Sequence, residues 1–324
     1  MRVVFFGTPD FAVESLDAIV QSSHEVAAVV TVPDRQAGRG QKVIYSAVKE
    51  YALAHNLPLL QPEKLRDPAF LNDLAAYKAD VFVVVAFRML PEAVWNMPPH
   101  GTFNLHASLL PRYRGAAPIN WAIINGEQQT GVTTFLLNHQ IDEGAILLQE
   151  HIPIAPYETA GSLHDRLAAM GRSLVVRTLD GIAAGTLNPS PQQGSACPAP
   201  KIFKDDCLID FSRTAAEVDR FVRGLAPYPA AIMNLANPKG DIVPFKVYSV
   251  KPINEHHEMP CGALICDGKK VLKIATAGGF VHILELQMAG KKKKSHRRLP
   301  TRQFSKRLEI STAVIVVKKK LKKT

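Results

Sequence analysis

The sequence has few cysteines and no long apolar run, and both shortages exclude classes of protein. Its four cysteines, Cys197, Cys207, Cys261 and Cys266, form no Cys-X-X-Cys pair. Neither a zinc site nor a disulfide framework is therefore indicated, and we expect reduced thiols in a cytoplasmic protein. No apolar run reaches the roughly 18–20 residues that a membrane-spanning helix needs. Residues 1–6 also lack the charged and long apolar regions of a signal peptide, so we expect neither export nor a membrane partner.

Acidic residues are almost absent from one part of the chain, and this explains the net charge of +10. Residues 291–324 contain 14 of the 39 lysines and arginines but a single acidic residue, Glu309. The tail alone therefore carries +13, whereas the preceding 290 residues carry −3. The high net charge is a property of the tail, and the nearly neutral body gives no general signal for nucleic-acid binding.

The 324 residues predict two domains, and the first half alternates strand-like with helix-like segments. Val81–Val85 is apolar without alternation, which is typical of a strand covered on both faces. Strands that alternate with helices predict an α/β fold with a doubly wound, mostly parallel sheet, whose ligand crevice lies beyond the carboxyl ends of the strands. The other predicted elements are strands at Val3–Phe6, Val26–Val32 and Leu57–Leu60 and helices at Asp10–Val20, Ala47–His55 and Pro68–Tyr77.

The second half changes character after residue 184. Strands at Thr133–Leu137 and Ile146–Ile152 and a helix at Ser162–Ala184 complete the first pattern. Gly185–Pro200 is rich in Pro, Gly, Ser and Gln and is typical of a linker. A helix at Ala215–Leu225 and several short strands follow, which predict a small β-barrel or sandwich. The predicted strands are Ala231–Leu235, Phe245–Val250, Ala263–Cys266, Val271–Ala275 and Val281–Leu286.

The stretch Asn104–Gly115 carries the most chemical information. Asn104 and His106 are two residues apart, so on a strand they project from the same face. An asparagine amide can donate a hydrogen bond to a developing oxyanion, and a histidine can stabilise the oxyanion or move a proton. Taken alone, however, such a pair is more often a strand-end cap beside a hydrogen-bonded histidine.

The longer pattern changes that interpretation. Asn104-Leu105-His106 is followed at once by Ser108-Leu109-Leu110-Pro111 and by Tyr113-Arg114-Gly115, and the whole stretch resembles the folate-dependent formyltransferases. The third catalytic residue of that family is an aspartate in a loop after the next strand. It matches Asp142 in Asn138-His139-Gln140-Ile141-Asp142-Glu143-Gly144. The resemblance implies a Rossmann-like formyltransferase domain.

The resemblance also implies a role for each residue. The co-substrate would be 10-formyltetrahydrofolate, whose formyl carbon is attacked by a neutral amine. Asn104 and His106 would stabilise the tetrahedral oxyanion, each such donor contributing on the order of 3 kcal/mol. Asp142 would orient the histidine, stabilise its charge and help to relay a proton through water. Ser108, Leu109, Leu110 and Pro111 match the folate-binding loop of the family. We expect no covalent nucleophile and no metal.

A loop after the second strand favours the formyltransferases that act on methionine carried by initiator tRNA. Residues 32–42 resemble the loop that these enzymes insert there. Arg35, Arg39 and Lys42 would meet tRNA phosphates, and Gly38 and Gly40 would make the loop mobile. Gly7-Thr8-Pro9-Asp10-Phe11-Ala12 matches the opening turn of the family and is not the Gly-X-Gly-X-X-Gly of nicotinamide-binding proteins.

A second domain supports the same interpretation. Residues 209–230 resemble the start of the OB-like C-terminal domain of these enzymes, and barrels of that kind often bind nucleic acid. We therefore expect a catalytic domain at 1–188, a linker at 189–206, an OB-like domain at 207–292 and an atypical basic tail at 293–324. Initiator methionyl-tRNA is the expected partner of a monomeric enzyme.

Three alternatives stay open. The acceptor could be an amino-sugar nucleotide, because enzymes that formylate those carry a similar second domain. The chain could instead be an inactive tRNA-binding module, although such a module would not need Asn104, His106 and Asp142. The resemblance ends near Lys292, after which the sequence stays basic to Thr324. That tail is either a shifted reading frame within lysine codons or a basic arm that adds electrostatic affinity for tRNA.

Overall fold

The computed structural model describes residues 1–37, 42–236, 241–266, 271–288 and 294–295. The chain divides into two compact units, neither of which is continuous in sequence. The first unit comprises residues 1–118, 129–153 and 163–200, and the second comprises 119–128, 154–162 and 201–324. Apart from Lys294 and Ser295, the predicted basic tail lies outside the described residues.

A seven-stranded sheet forms the centre of the first unit. With all strands numbered in chain order, it contains β1 (Arg2–Gly7), β2 (Glu25–Val30), β5 (Leu59–Leu60), β6 (Val81–Val85), β7 (Thr102–His106), β9 (Gln129–Leu136) and β10 (Ile146–Pro153). The spatial order is β10-β9-β7-β6-β1-β2-β5. The pairs from β7 to β5 are parallel, and the pairs β7–β9 and β9–β10 are antiparallel. This confirms the predicted doubly wound, mostly parallel sheet.

The sheet is buried as its apolar runs predict. Every residue of β6 is buried, as are the side chains of Phe5, Phe6 and Phe103. Two of the helices start at polar caps: the Ser46 hydroxyl accepts a hydrogen bond from the Lys49 amide, and the Asp67 carboxylate accepts one from the Ala69 amide. The helices of this part of the chain are α1 (Asp10–Val20), α2 (Ala47–Ala54), α3 (Pro68–Ala76), α4 (Glu92–Trp95) and most of α6 (Ala160–Ala183).

Four short strands of the first unit lie outside the main sheet. Strands β3 (Arg35–Ala37) and β4 (Lys42–Ile44) form an antiparallel hairpin. Strands β8 (Arg112–Gly115) and β11 (Cys197–Ala199) form a parallel pair. The second pair was not expected from the sequence, because β8 follows a catalytic-type motif and β11 lies in a segment with linker composition.

The second unit is built on antiparallel strands, as predicted for its sequence. Strands β12 to β16 are hydrogen-bonded in the order β12-β13-β16-β15-β14, and β17 pairs with β16. Their core includes Phe211, Phe245 and Val247, together with apolar residues of α7. The elements are α5 (Pro118–Ile124), a 3-10 helix (Lys204–Cys207), α7 (Ala215–Leu225), β12 (Ala231–Ala236), β13 (Ile242–Ile253), β14 (Leu264–Cys266), β15 (Leu272–Thr276), β16 (Gly279–Met288) and β17 (Lys294–Ser295).

A capping box begins α7. The Thr214 hydroxyl accepts a hydrogen bond from the Glu217 amide at 3.3 Å, and the Glu217 carboxylate accepts one from the Thr214 amide at 2.9 Å and one from the Thr214 hydroxyl at 2.6 Å. These hydrogen bonds, the side-chain one first, lower the pKa of Glu217. The box satisfies two of the amide groups that every helix leaves unpaired at its start.

Replacing Thr214 tests this cap. We expect Thr214→Ala to lower the free energy of unfolding by about 1 kcal/mol and Thr214→Ser to change it by only a few tenths. Since the folded-state pKa of Glu217 is lowered, its contribution is present above the ordinary glutamate pKa and is lost as the pH falls through the lowered value. The difference between Thr214→Ala and wild type in urea denaturation should therefore shrink in acid. An unchanged urea midpoint for Thr214→Ala at neutral pH would contradict the assignment.

Candidate active site

Strand β7, which carries Asn104 and His106, lies where the sheet changes from parallel to antiparallel pairing. It pairs in parallel with β6 and antiparallel with β9, with His106 opposite Thr133. Asn104 is half-buried, whereas His106 is only 7% exposed. Both side chains project from the same face of the strand, at its carboxyl end, where ligands bind in sheets of this type.

One ring nitrogen of His106 is held by the main chain. Its Nε2 lies 2.8 Å from the carbonyl oxygen of Tyr113. Because a carbonyl oxygen can only accept a hydrogen bond, Nε2 must carry a proton. In the neutral ring, Nδ1 is then the unprotonated nitrogen. Nδ1 lies 3.9 Å from Oδ2 of Asp142, which is too long for a hydrogen bond, and the two groups form an ion pair only when the ring is protonated.

Asp142 is held in place through its backbone and its carboxylate. Its φ is +55°, in the left-handed region that aspartate tolerates better than most residues. Oδ2 accepts a hydrogen bond from the amide of Gly115 at 2.9 Å. The side-chain amide of Gln192 donates to the carbonyl oxygens of Asp142 and Gly144, at 2.8 and 2.9 Å. The structure thus brings together the predicted histidine and the predicted aspartate, which are 36 residues apart in sequence.

Gly115 supplies the amide that binds Asp142, and its position leaves no room for a side chain. Its φ is +122°, and a Cβ atom there would lie 2.6 Å from the carbonyl oxygen of Ala199 on β11. The same carbonyl accepts a hydrogen bond from the amide of Ala117 at 3.1 Å. The pairing of β8 with β11 therefore fixes the amide that faces the aspartate.

The loop predicted to bind folate, Ser108–Pro111, is held by hydrogen bonds of its own. The buried Ser108 hydroxyl donates to the carbonyl of Arg112 at 2.7 Å. Thr133 donates to the carbonyl of Ser108 at 2.6 Å and accepts from the amide of Leu110 at 3.3 Å. The Leu110–Pro111 peptide is cis. Ser108 and Leu110 are buried and therefore hold the loop in place, whereas Leu109 and Pro111 are half-buried at the crevice.

The predicted tRNA loop has paired arms. Arg35 is exposed at the start of β3, and Lys42 begins β4, opposite Ala37. The arms were expected to be part of a loop, and in the structure they pair as an antiparallel hairpin. Arg39 and both glycines of the predicted tip lie outside the described residues.

The base of the hairpin is fixed by a buried lysine. Lys49 on α2 binds Oδ2 of Asp34 at 2.6 Å, and Gln61 donates to Oδ1 at 2.9 Å. The hydrogen bond from Lys49 is the first cause of a lowered Asp34 pKa. Lys49 also lies 4.1 Å from the centre of the Tyr45 ring. The chain next to Arg35 is therefore tied to helix α2 through a paired charge.

Three residues of this site were missed by sequence reasoning. Tyr113, which supplies the carbonyl to His106, is buried with φ +60°, a strained conformation for a bulky residue. Gln149 donates to Leu110 and to Thr133, and Gln192 binds the main chain of Asp142. Tyr113 lies within the recognised motif, so it could have been suspected. Nothing in the local sequence marks Gln149 or Gln192.

Among the residues that the structure describes, no group of three or more His, Cys, Asp or Glu side chains is arranged to hold a metal ion. No helix among them is both long and apolar enough to cross a bilayer.

Comparison with known families matches most of the chain. Residues 1–179 match Formyl transferase, and residues 201–301 match Formyl transferase, C-terminal domain. The second match runs past Lys292, where the resemblance was expected to end. The methionyl-tRNA formyltransferase of Bacteroides thetaiotaomicron is 52% identical over 298 residues, which cover 90% of this chain and 92% of the relative. That of Porphyromonas gingivalis is 48% identical over 299 residues, with the same coverage of 90% and 92%.

Solved structures of lower identity share the fold. WlaRD, described as a sugar 3N-formyl transferase crystallised with dTDP and 5-N-formyl-THF, has a TM-score of 0.62 at 20% identity, over 90% of this chain and 99% of that one. HypX from Aquifex aeolicus, solved with tetrahydrofolic acid, has a TM-score of 0.61 at 19% identity. The match to HypX covers 94% of this chain but only 47% of HypX, so this chain spans about half the length of that protein.

Gly115→Ala tests the close approach beside Asp142. Since its Cβ would meet the Ala199 carbonyl, we expect a loss of about 3 kcal/mol in the free energy of unfolding. Gly185→Ala is the matched control, because Gly185 also has a positive φ of +65° but nothing within 4 Å of its Cβ position. It should lose only about 1 kcal/mol. Equal losses in urea denaturation would show that the packing against β11 does not constrain Gly115.

Proposed function

This chain belongs to the formyl transferase family, among the methionyl-tRNA formyltransferases, and on that premise we propose a specific reaction for it. It transfers the formyl group of 10-formyltetrahydrofolate to the α-amino group of methionine carried by initiator tRNA. Supporting this acceptor are the names of relatives about 50% identical over nine tenths of the chain. Supporting a folate donor are the tetrahydrofolate of HypX and the formyl-tetrahydrofolate of WlaRD.

The transfer needs one bond to form and one to break. The neutral amine attacks the formyl carbon, so a C–N bond forms and the carbonyl oxygen becomes an oxyanion. Collapse of this tetrahedral intermediate breaks the bond from carbon to N10 of the folate. One proton leaves the amine and one reaches N10, so that the overall exchange is balanced. The protein must therefore stabilise a transient negative charge and move a proton between two nitrogens.

Asn104 and His106 stabilise the oxyanion in this proposal. The half-buried Asn104 can donate its amide N–H at the crevice. His106 acts through Nδ1, because Nε2 is already engaged with the carbonyl of Tyr113. Once protonated, Nδ1 is a donor to the developing charge, and its proton can then pass toward the leaving nitrogen.

Asp142 supports the charged form of His106. Its Oδ2 is 3.9 Å from Nδ1, so the carboxylate is placed to stabilise the positive charge that the ring carries while it holds the transferred proton. The Gly115 amide holds the same oxygen, which limits its movement toward the ring. Nδ1 of His106 and Oδ2 of Asp142 would come within hydrogen-bond distance when substrate is bound, because catalytic hydrogen bonds are often long in unliganded enzymes. A water that bridges amine, carboxylate and folate nitrogen would complete the relay.

The folate is held by the loop Ser108-Leu109-Leu110-Pro111 in this proposal. Ser108 and Leu110 shape the loop from inside the fold, and Leu109 and Pro111 offer half-exposed apolar surface to a flat ring. No metal takes part. The donor is a co-substrate that leaves as tetrahydrofolate.

The tRNA contacts are proposed for the hairpin and the second domain. Arg35, Arg39 and Lys42 would bind phosphates near the acceptor end, and the OB-like domain at 207–292 would bind the body of the tRNA. The catalytic domain, predicted at 1–188, extends to residue 200 because β11 and Gln192 belong to its compact unit, and the enzyme works as a cytoplasmic monomer. The tail at 293–324 either adds electrostatic affinity or plays no part.

The observation that carries the proposal is the pairing of His106 with Asp142 beside Asn104, in a chain with such relatives. An acceptor assay with 10-formyltetrahydrofolate tests it. Formylation of methionyl initiator tRNA is the expected result. Transfer only to an amino-sugar nucleotide would reject methionyl-tRNA as the acceptor. Binding of tRNA without any transfer would show that the chain is a tRNA-binding module and not an enzyme.

Variants of the two donors test the mechanism. We expect Asn104→Ala to lower kcat about 10²- to 10³-fold, because an oxyanion donor acts mainly in the transition state. His106→Ala should cost at least as much, since it also removes the proton carrier. Asn96→Ala and His100→Ala are matched controls, as both side chains are exposed on the approach to β7. Steady-state kinetics with methionyl-tRNA measure the effect, and full activity of His106→Ala would reject its catalytic role.

Removing Arg35 tests the hairpin as a phosphate-binding element. We expect Arg35→Ala to raise KM for tRNA several-fold, to leave kcat unchanged and to weaken the salt dependence of tRNA binding by about one phosphate contact. Arg66→Ala is the control, because Arg66 is also exposed but lies outside the hairpin. Binding titrations at several salt concentrations measure the slope. The same loss from both variants would point to a general charge effect rather than to the hairpin.

A further inference from the structure

The side-chain amide of Gln192 is fully used, and all of its partners lie around Asp142. Its nitrogen donates to the carbonyl oxygens of Asp142 and Gly144, at 2.8 and 2.9 Å. Its oxygen accepts from Nε and Nη2 of Arg114, at 3.1 and 2.7 Å. Both N–H groups of the amide therefore donate a hydrogen bond and its oxygen accepts two, which is the complete hydrogen-bonding capacity of a glutamine side chain.

Arg114 extends this arrangement to the other side of the aspartate. Its Nη1 binds the carboxylate of Glu143 at 2.7 Å, while its other nitrogens bind Gln192. Residues 142–144 are therefore held by Gln192 through the main chain and by Arg114 through the Glu143 side chain. Arg114 also lies next to Gly115, whose amide binds the Asp142 carboxylate.

Asp142 needs such support because its conformation is unfavourable. Its φ of +55° lies in the left-handed region, which aspartate tolerates better than most residues but still at a cost in free energy, so without restraint the loop would relax into other conformations. A relaxed loop would carry the carboxylate away from the 3.9 Å approach to His106. The hydrogen bonds from Gln192 fall on the carbonyl of the strained residue itself.

We propose that Gln192 is the positioning residue for Asp142, and that it acts on the reaction only through that aspartate. The inference rests on the proposed function, in which Asp142 stabilises the protonated His106. A displacement of about 1 Å at a catalytic group can cost on the order of 10²-fold in rate. We therefore expect Gln192→Ala to lower kcat ten- to a hundredfold, with KM for both substrates unchanged.

Two further variants separate positioning from folding. Gln192→Glu keeps the oxygen that accepts from Arg114 but replaces both donors with an oxygen that faces two carbonyls, so it should be as slow as Gln192→Ala. Gln193→Ala is the matched control, because the neighbouring Gln193 is exposed and takes part in none of the side-chain contacts of the described residues. It should behave as wild type. Full activity of Gln192→Glu would overturn the proposal.

A double-mutant cycle with Asp142→Ala gives the decisive readout. If Gln192 acts through Asp142, Gln192→Ala should slow the residual single-turnover rate of Asp142→Ala by less than twofold. A merely structural role would give the same ten- to hundredfold loss in both backgrounds, and that result would overturn the proposal. Melting temperatures of the single variants should match that of the Gln193→Ala control.

Hydrogen exchange at Gly115 tests the same proposal without any activity. The Gly115 amide donates to Asp142, so it should exchange faster in Gln192→Ala and unchanged in Gln193→Ala. Unaltered exchange in Gln192→Ala would overturn the positioning role. Failure of the proposed function would give a different result. The wild-type protein would then form no formylmethionyl-tRNA, but the Gly115 amide would still exchange faster in Gln192→Ala.

Discussion

The hydrogen bond from Nε2 of His106 to the carbonyl of Tyr113 is the interaction on which the site depends. It decides which ring nitrogen carries the permanent proton, and so leaves Nδ1 for Asp142 and for chemistry. It also ties the end of β7 to β8, across the loop that is assigned to folate. The strained backbone of Tyr113 is maintained because its side chain is buried and its carbonyl is used. A residue with no reactive side-chain role thus sets the geometry of the reactive one.

The aspartate is positioned by the main-chain amide of Gly115 and by the side chain of Gln192. Gly115 offers its amide because β8 packs so closely on β11 that no Cβ fits between them. Gln192 comes from the same segment as β11, and it holds the carbonyls of the aspartate loop. Residues 190–199 therefore contribute to a site whose Asp142 lies at least 48 residues earlier in the chain and whose His106 lies at least 84 residues earlier. Loss of that segment would remove the contacts that hold Asp142 near His106.

Much of the fold could be predicted because apolar periodicity reports burial directly. Val81–Val85 is uniformly apolar, and every residue in it is buried. His106 and Asp142 could be found because a motif carried them. The pairing of β8 with β11 could not be predicted, because two short strands of mixed polarity show no hydrophobic periodicity. The Pro, Gly and Ser residues around position 194 are also typical of loops. Gln192 and Gln149 gave no signal, since a glutamine that binds main-chain groups resembles one on the surface. The pairing of residues 35–37 with residues 42–44 was not predicted, because each of these strands has only three residues.

The tautomer of His106 tests the central claim most directly. Nitrogen-15 NMR of histidine-labelled protein, with the His106 signals assigned by comparison with His106→Gln, distinguishes protonated from unprotonated ring nitrogens. At a pH where His106 is neutral, the account predicts a proton on Nε2 and none on Nδ1. A proton on Nδ1 and none on Nε2 would place a lone pair against the carbonyl of Tyr113. That result would contradict both the arrangement of the site and the role of Nδ1 in the reaction.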